Sequence, residues 1–339
     1  MCGIVGIIGE GEVTERLIEG LKRLEYRGYD SAGIAVLQDG RVVRRRAEGK
    51  IANLQKVVET GPCDGASGIA HTRWATHGRP SEDNAHPHVS GPVAIVHNGI
   101  IENFRELRDA LQGEGRAFVS ETDSEVIAHL ISHELDQGKA MKDAFFAALG
   151  KLRGAFAVAA INSDDPERLY AAREGSPLVV GRGEGENYVG SDSLALAGWT
   201  RQVIYLEEGD WCVVTRDAIE VYDLDAEKVD RPVHTSNAVA GFADKGEYRH
   251  FMEKEIHEQP DAIGRTLSNY VDAANARFAT VDDSHWINAR RMLASACGTA
   301  FLATAVARYW FERYARLPVE ADIASEFRYR EPPLLPGAG

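Results

Sequence analysis

The sequence has few cysteines, and they are not clustered. Its four cysteines, Cys2, Cys63, Cys212 and Cys297, lie far apart and form no C-x-x-C pair. This spacing favours free thiols over a disulfide framework and offers no cysteine cluster to complete a zinc site. Because free thiols are typical of reducing compartments, we expect a cytoplasmic protein.

Long hydrophobic segments are also missing. The longest apolar run, residues 292–307, is rich in alanine and is interrupted by Cys-Gly-Thr. This run is too short, and its side chains are too small, for a helix that spans a bilayer. The first residues carry no basic stretch, and the acidic Glu10 and Glu12 follow early, which argues against a signal peptide. We therefore expect no membrane segment.

Positive charge is scarce. The chain has 38 Lys and Arg against 52 Asp and Glu, a net charge of −14. A broad nucleic-acid surface needs clustered basic residues and is not expected, although a few local donors would suffice for one phosphate. With 44% hydrophobic and 27% charged residues over 339 positions, the composition predicts an ordinary globular protein of two domains.

The most informative residue that is present is Cys2. A small second residue is the kind that allows removal of the initiator Met1, which would leave a thiol and a free α-amine on one residue. An N-terminal residue whose own amine acts as base is a known way to activate a weak nucleophile. The alternative is a small buried residue that opens a strand.

Hydrophobic spacing predicts many short strands and a few helices in the first 240 residues. Helices are predicted at residues 13–24, 124–135 and 141–152, and strands at residues 4–8, 34–37, 93–97, 155–161, 178–180 and 203–206. This mixture predicts an α+β fold in which two sheets pack face to face with helices outside.

The pattern becomes polar at residues 229–247, which we interpret as a linker between a domain at 1–228 and a second segment at 248–339. The second segment predicts a helix at 248–269, a strand at 292–296, a helix at 300–314 and a strand at 319–323. This order is typical of the start of a parallel α/β sheet.

Two polar segments could carry chemistry. Asn98 and Gly99 follow a predicted strand. On its own, the Asn-Gly pair favours a hairpin turn over a functional role by about two to one. The functional alternative is an oxyanion hole built from the Asn98 amide and the Gly99 N–H. Arg73, next to Trp74, could clamp a carboxylate, or could simply pack on the indole at the surface.

Residues 121–125 and the histidines also admit two interpretations. Thr122 and Glu125 fit a capping box, whereas Asp123 could receive a substrate ammonium. Five histidines crowd residues 71–97, but no metal-binding spacing accompanies them, so we expect no metal centre. We interpret residues 82–88 as a structured turn.

Taken together, these segments resemble the glutamine–fructose-6-phosphate aminotransferase family. The matching stretches are residues 2–6, 25–33, 71–78, 97–103, 120–123, 206–210, 248–256 and 324–330. The first domain alone would also resemble other amidotransferases with an N-terminal cysteine, including those that make phosphoribosylamine or asparagine. The resemblance implies an αββα sandwich of the N-terminal-nucleophile hydrolase type, followed by the start of an α/β sugar-phosphate isomerase domain.

The resemblance also implies roles for individual residues. In such enzymes the Cys2 thiol attacks the side-chain amide of glutamine, while Asn98 and Gly99 hold the oxyanion. Arg73 takes the α-carboxylate of the substrate, and Asp123 takes its α-ammonium.

Four further residues complete the implied glutamine site. Thr76 and His77 line the pocket, and Arg27 and Trp74 lie in segments that close over it. No cofactor is implied. The substrates are glutamine and fructose 6-phosphate, and the products are glutamate and glucosamine 6-phosphate. The family usually assembles through its isomerase domains, so a homodimer is implied wherever that domain is complete.

The second segment departs from the family pattern. The usual Cys-Gly-Thr-Ser-Tyr reads Cys-Gly-Thr-Ala-Phe at residues 297–301, so one hydroxyl near the sugar phosphate is missing and Thr299 remains as the candidate ligand. The alternative is an ordinary glycine turn in which Thr299 is the N-cap of the helix. The remaining isomerase residues of the family would lie beyond residue 339. We therefore expect this chain to hydrolyse glutamine without forming glucosamine 6-phosphate. The alternatives are an inactive remnant that binds a sugar phosphate or a partner, and another amidotransferase of the same class.

Overall fold

A computed structural model describes residues 2–236, 238, 246–272, 277–278, 289–330 and 332–333. The chain divides into two compact units, Met1–Phe251 and Met252–Gly339. The predicted linker is described only in part, because its residues 237 and 239–245 lie outside the described residues.

The first unit contains fifteen of the described strands. They are β1 (Gly3–Ile8), β2 (Ser31–Gln38), β3 (Arg41–Glu48), β4 (Ser67–Arg73), β5 (His88–Ser90), β6 (Val93–Ile101), β7 (Gly154–Asn162), β8 (Leu169–Glu174), β9 (Val179–Arg182), β10 (Asn187–Gly190), β11 (Gln202–Tyr205), β12 (Trp211–Val214), β13 (Ile219–Tyr222), β14 (Lys228–Val229) and β15 (Val233–Thr235). Its helices are α1 (Thr14–Arg23), α2 (Ile51–Thr60), α3 (Phe104–Gly113), α4 (Glu125–Asp136), α5 (Met141–Leu149) and α6 (Ser193–Leu196), with a short 3₁₀ turn at Glu25–Arg27.

The strands form two antiparallel sheets. The first has the order β15-β11-β9-β10-β1-β4-β2-β3, and the second has the order β14-β13-β12-β8-β7-β6-β5. One buried cluster joins side chains from both sheets, among them Ile4, Ile69, Val96 and Leu169. The sheets therefore pack face to face around a shared core.

Helices cover the outer face of each sheet. Leu17 and Leu21 of α1 and Leu54 of α2 pack against the outer side of the first sheet. Residues of α4 and α5, such as Ile127 and Phe145, cover the second sheet in the same way. The four layers confirm the predicted αββα sandwich.

Local pattern explains the elements that were predicted correctly. Helix α1 has buried apolar residues at helical spacing, so it begins and ends within one residue of the predicted range. Strand β1 is buried at all six positions, as expected for a strand between two layers. Helices α2 and α3 were not predicted, although α3 has apolar residues at Phe104, Leu107 and Leu111, the spacing of one helix face.

The second unit begins with a long helix, α7 (Phe251–Tyr270), followed by the short strands β16 (Val271–Asp272) and β17 (Arg277–Phe278). Strand β18 (Met292–Ala296), helix α8 (Gly298–Trp310), strand β19 (Val319–Ile323) and helix α9 (Ala324–Arg330) follow, with one π-helical turn at Phe311–Ala315. Strands β18 and β19 pair in parallel, which confirms the predicted β-α-β start of an α/β sheet. Among the described residues, no helix is both long and apolar enough to cross a membrane.

Candidate active site

Cys2 lies at the edge of the shared core, immediately before β1. The pairing of β1 with β4 places Gly3 opposite Thr72, so Cys2 lies beside the end of β4. The Trp74 backbone N–H donates to the Cys2 Sγ at 3.2 Å, and the thiol faces the Trp74 carbonyl oxygen at 3.5 Å. The thiol therefore has a fixed position next to the segment that follows β4.

The surroundings of Cys2 favour the protonated thiol. Burial raises the pKa of the Cys2 thiol, and the carboxylate of Asp30 adds to that effect. The Trp74 N–H and the charge of Arg73 oppose the rise in this pKa without cancelling it. A nucleophilic Cys2 therefore needs a nearby base.

Asn98 and Gly99 lie within a strand, so the hairpin-turn alternative is wrong. Strand β6 continues to Ile101 and pairs with β7 on both sides of the Asn-Gly pair, with Gly99 opposite Phe156. Gly99 has φ +127°, and a Cβ there would lie 1.9 Å from the Ala155 carbonyl oxygen. Only glycine fits this backbone position.

The Asn98 amide points toward Cys2. Its Nδ2 donates to the Cys2 carbonyl oxygen at 3.3 Å, and its Oδ1 lies 2.9 Å from Nε2 of His71. Gly99 lines the same small cavity as Cys2. An amide N–H and a backbone N–H beside a nucleophile are the donors that an oxyanion hole requires.

The cavity beside Cys2 has a volume of about 10 Å³. Its lining includes Cys2 and six other predicted site residues: Arg73, Trp74, Thr76, His77, Gly99 and Asp123. A volume of this size holds about one water molecule. A larger ligand therefore requires the lining to move.

Arg73 is buried, and its guanidinium is occupied by the backbone of the following loop. It donates to the carbonyl oxygens of His77, Gly78 and Arg79, the last two at 2.9 and 3.3 Å. Asp30 lies 3.9 Å from it. In this arrangement Arg73 holds residues 77–79 against the cavity.

Asp123 provides negative charge in the lining of the same cavity. Its buried carboxylate accepts the Ile101 backbone N–H at 2.8 Å. The Nδ1 atom of His77 lies 3.9 Å from this carboxylate and 3.4 Å from the hydroxyl of Thr76. The lining thus contains both a guanidinium and a carboxylate.

The capping-box alternative for residues 122–125 is wrong. Ser124 occupies the N-cap of α4, and no side chain caps the helix there. The Glu125 carboxylate instead accepts hydrogen bonds from the Val119 and Ser120 N–H groups and from the Ser120 hydroxyl. These bonds, together with His129, hold the pKa of Glu125 at about 2 against the opposing effect of burial.

Arg27 and Trp74 occupy different positions. Trp74 lines the cavity although the residue is 54% exposed, and its ring lies against Gly28. Arg27 forms an ion pair with Asp192 and lines a separate recess. The structure thus brings Trp74 together with Cys2 and places Arg27 at a neighbouring recess.

The histidines were the residues whose positions sequence reasoning missed. His71, His86, His88 and His97 are buried in the first unit, and the ring centroids of His71 and His86 are 4.1 Å apart. Burial lowers the pKa of His71 and of His88 to about 3 and lowers those of His86 and His97 as well. The crowding of histidines in residues 71–97 is the signal in the sequence for this buried cluster.

Thr299 lies in the second unit, in the first turn of α8. Cys297 is the N-cap of this helix, so the alternative that Thr299 caps it is wrong. In the part of the chain that the structure describes, no three His, Cys, Asp or Glu side chains are placed to hold a metal ion.

Comparison with known sequences agrees with this geometry. Residues 71–198 match the family described as glutamine amidotransferase domain. The chain is 54% identical over 335 residues to the glutamine–fructose-6-phosphate aminotransferase (isomerising) of Mesorhizobium japonicum, and 55% identical over 333 residues to that of Zymomonas mobilis. Each match covers 98% of this chain and 55% of the relative, so the chain spans about half the length of these relatives.

Comparison with solved structures shows the same fold. A glutamine phosphoribosylpyrophosphate amidotransferase from B. subtilis matches with a TM-score of 0.58 at 21% identity, over 94% of this chain and 65% of that chain. A structure described as the allosteric regulatory enzyme of purine biosynthesis matches with a TM-score of 0.59 over the same shares at the same identity. The chain thus shares the fold of these two structures.

Proposed function

Since this chain carries a glutamine amidotransferase domain and is homologous to the glutamine–fructose-6-phosphate aminotransferases, we propose that it hydrolyses glutamine at Cys2. The products are glutamate and ammonia. The observation that carries this proposal is the Asn98 amide nitrogen, which donates to the Cys2 carbonyl oxygen at 3.3 Å, next to a cavity that Cys2 and Gly99 both line.

The charges around the cavity favour a free amino acid as the substrate. An α-carboxylate pairs with the guanidinium of Arg73, and an α-ammonium pairs with the carboxylate of Asp123. Both protein groups are buried, so each would be worth more here than at the surface. A glutamine residue within a peptide has neither charge, so it would offer no ionic partner to Arg73 or to Asp123.

Activation of Cys2 requires removal of Met1. Because burial raises the pKa of the thiol, little thiolate forms spontaneously. The α-amine exposed by removal of Met1 is covalently attached to the nucleophile and has an ordinary pKa near ~8, so it can accept the thiol proton at neutral pH. The Trp74 N–H, 3.2 Å from the sulfur, then stabilises the developing thiolate.

The reaction then follows two steps. The sulfur attacks the side-chain amide carbon, and the oxygen that becomes negative accepts hydrogen bonds from Asn98 and Gly99. The α-ammonium returns its proton to the leaving nitrogen, which departs as ammonia and leaves a thioester on Cys2. Water attacks the thioester, and glutamate and the free thiol are released.

The use of the ammonia is a second proposal, based on the names of the relatives. We propose that the whole protein transfers it to fructose 6-phosphate and isomerises the product. The second unit supplies the β18-α8-β19 start of a sheet, with Thr299 in the first turn of α8 as a candidate phosphate ligand. The four free cysteines favour a reducing compartment, and we propose the cytoplasm.

The test is glutamate release from glutamine by the purified chain, with intact mass to establish that Met1 is removed. We expect turnover in processed protein and none above background in Cys2→Ala. Cys297→Ala is the matched control, because this exposed cysteine lies in the second unit and should leave glutaminase activity unchanged.

Two outcomes would contradict the proposal. Processed protein that releases no glutamate would refute the glutaminase, and glutamate release that survives in Cys2→Ala would refute the nucleophile. Addition of fructose 6-phosphate to the same assay tests a separate expectation, that this chain forms no glucosamine 6-phosphate, and detection of the amino sugar would contradict it.

A further inference from the structure

The orientation of the Asn98 amide decides whether it can stabilise an oxyanion. A primary amide presents an N–H donor on one side and a carbonyl oxygen on the other, and the two orientations have nearly the same shape. The wrong orientation would direct an oxygen at the developing negative charge. The strand that carries Asn98 fixes the position of the side chain but does not choose between the two orientations.

Two contacts of Asn98 choose between them. On one side, the Cys2 carbonyl oxygen lies 3.3 Å from the amide and can only accept, so it requires the Nδ2 group. On the other side, the Asn98 oxygen lies 2.9 Å from Nε2 of His71 and requires a donor there. His71 satisfies that requirement only if Nε2 carries a proton.

The second ring nitrogen of His71 has no acceptor that competes for the proton. Nδ1 is buried and has no hydrogen-bond partner among the described residues. Burial also lowers the pKa of this ring to about 3, so the ring is neutral and carries one proton. That proton lies on Nε2, where the Asn98 oxygen accepts it.

The position of His71 leaves its ring little freedom. His71 lies in β4, with Ile4 of β1 opposite it on one side and Gly33 of β2 on the other. The His86 ring lies against it with centroids 4.1 Å apart. The ring is fully buried, so neither water nor a rotated ring replaces the bond to Asn98.

We infer that His71 is a positioning residue of the oxyanion hole: its Nε2–H locks the Asn98 amide with the N–H group toward Cys2. The inference rests on the glutaminase function proposed above. His71 itself does not touch the reacting atoms, and it acts only through Asn98. Loss of an oxyanion donor typically lowers kcat by roughly 100- to 1000-fold, and loss of its orientation should lower kcat by somewhat less, about 10- to 100-fold.

The first experiment measures kcat and KM for glutamine in His71→Leu and His71→Gln. We expect His71→Leu to lower kcat about 10- to 100-fold with KM changed less than about threefold. His71→Gln should recover most of the loss, since its amide can donate from about the position of Nε2. His88→Gln is the matched control, because this buried histidine bonds to the Thr122 hydroxyl instead, and it should retain activity.

A double-mutant cycle separates positioning from a general structural role. In an Asn98→Ala background, His71→Leu should cause no further loss of kcat, because there is no amide left to orient. The rate of Cys2 alkylation by iodoacetamide should be the same in all variants, since alkylation needs no oxyanion hole. Losses that multiply, or alkylation that falls in parallel with kcat, would overturn the inference.

A measurement on the wild-type chain does not depend on activity. NMR of protein labelled with ¹⁵N-histidine, with His71→Gln to assign the signal, shows which ring nitrogen of His71 carries the proton. A proton on Nε2 is expected, and a bare Nε2 would overturn the inference even in an active enzyme. Absence of glutamate release by the wild-type chain would instead refute the glutaminase proposal, so the two failures are distinguishable.

Discussion

Gly99 illustrates how much depends on a single residue without a side chain. Its backbone has φ +127° in the middle of β6, a conformation that other L-residues rarely adopt. The space where a Cβ would lie is already filled by the carbonyl group of Ala155 and by the Cα of Phe156. A methyl group would therefore force β6 and β7 apart beside Cys2.

We predict that Gly99→Ala lowers both glutaminase activity and stability. Separation of the strands moves the Gly99 N–H and the Asn98 amide, so kcat should fall by at least about 100-fold. The backbone strain should cost on the order of 1–3 kcal/mol, which would lower the melting temperature by several degrees. Steady-state kinetics and a thermal melt measure the two effects.

Gly113→Ala is the control for this prediction. Gly113 is the last residue of α3, and a Cβ there would meet nothing within 4 Å. The activity and melting temperature of the Gly113→Ala chain should match those of the parent chain. A Gly99→Ala chain with parental kinetics would show that the backbone at this position does not contribute to catalysis.

The segment after β4 is an element without regular secondary structure, and Arg73 organises it. The buried guanidinium donates to three successive backbone carbonyl oxygens, at residues 77–79. The cavity beneath this loop holds about 10 Å³, far less than a glutamine needs. Substrate entry therefore requires the loop to move, and Arg73 determines how firmly the loop is held when the cavity is empty.

We predict that Arg73→Lys loosens the loop and weakens glutamine binding. A lysine ammonium is a compact charge that cannot reproduce the planar fork of donors. Amide hydrogen exchange at residues 75–79 should become faster, and KM for glutamine should rise at least about tenfold. Exchange detected by mass spectrometry and steady-state kinetics measure both effects.

Arg79→Lys is the matched control for that change. The Arg79 side chain is exposed, and only its backbone oxygen contacts Arg73. The same chemical substitution six residues along the chain should alter neither exchange nor KM. An unchanged exchange rate in Arg73→Lys would mean that other contacts hold the loop.

At the scale of the whole molecule, buried histidines make the first unit sensitive to acid. His71, His86, His88 and His97 are buried, and burial lowers the pKa of each ring. In the unfolded chain the same rings titrate near the ordinary value of ~6.5. As the pH falls below that value, the unfolded state binds protons that the folded state does not, so stability decreases.

We predict that the free energy of unfolding falls steeply between pH 7 and pH 5. Each of these histidines lowers the free energy of unfolding by up to about 1.4 kcal/mol for each pH unit. The loss begins near pH ~6.5 and continues down to the pKa of the ring in the folded chain. That pKa is about 3 for His71 and His88. Urea unfolding at several pH values measures the slope.

Replacement of one buried ring should flatten this dependence. His86→Gln removes one titrating group. The slope of the unfolding free energy against pH should therefore fall by up to about 1.4 kcal/mol per pH unit, which is the effect of one proton. Gln202→Asn, at an exposed position of β11, adds and removes no titrating group and should leave the slope unchanged. A parent chain whose stability did not change between pH 7 and pH 5 would contradict this account.

The amino-acid sequence by itself determined the features that depend on neighbours along the chain. Alternation and helical spacing placed β1, α1, α4 and β18 to within a few residues, because each buries a face set by its own pattern. The motif around Cys2 likewise predicts the nucleophile, since the chemistry belongs to one residue and its terminal position.

Tertiary structure alone decided the features that depend on distant partners. Asn98 and Gly99 favour a turn locally, but their ladder of hydrogen bonds to β7, more than fifty residues away, keeps them in a strand. The bond from His71 to Asn98 joins residues of different sheets, and no spacing in the sequence indicates it. Burial of the histidines follows from the same packing. The sequence does not show their lowered pKa values, because the cost of placing a charge in the core depends on everything that surrounds it.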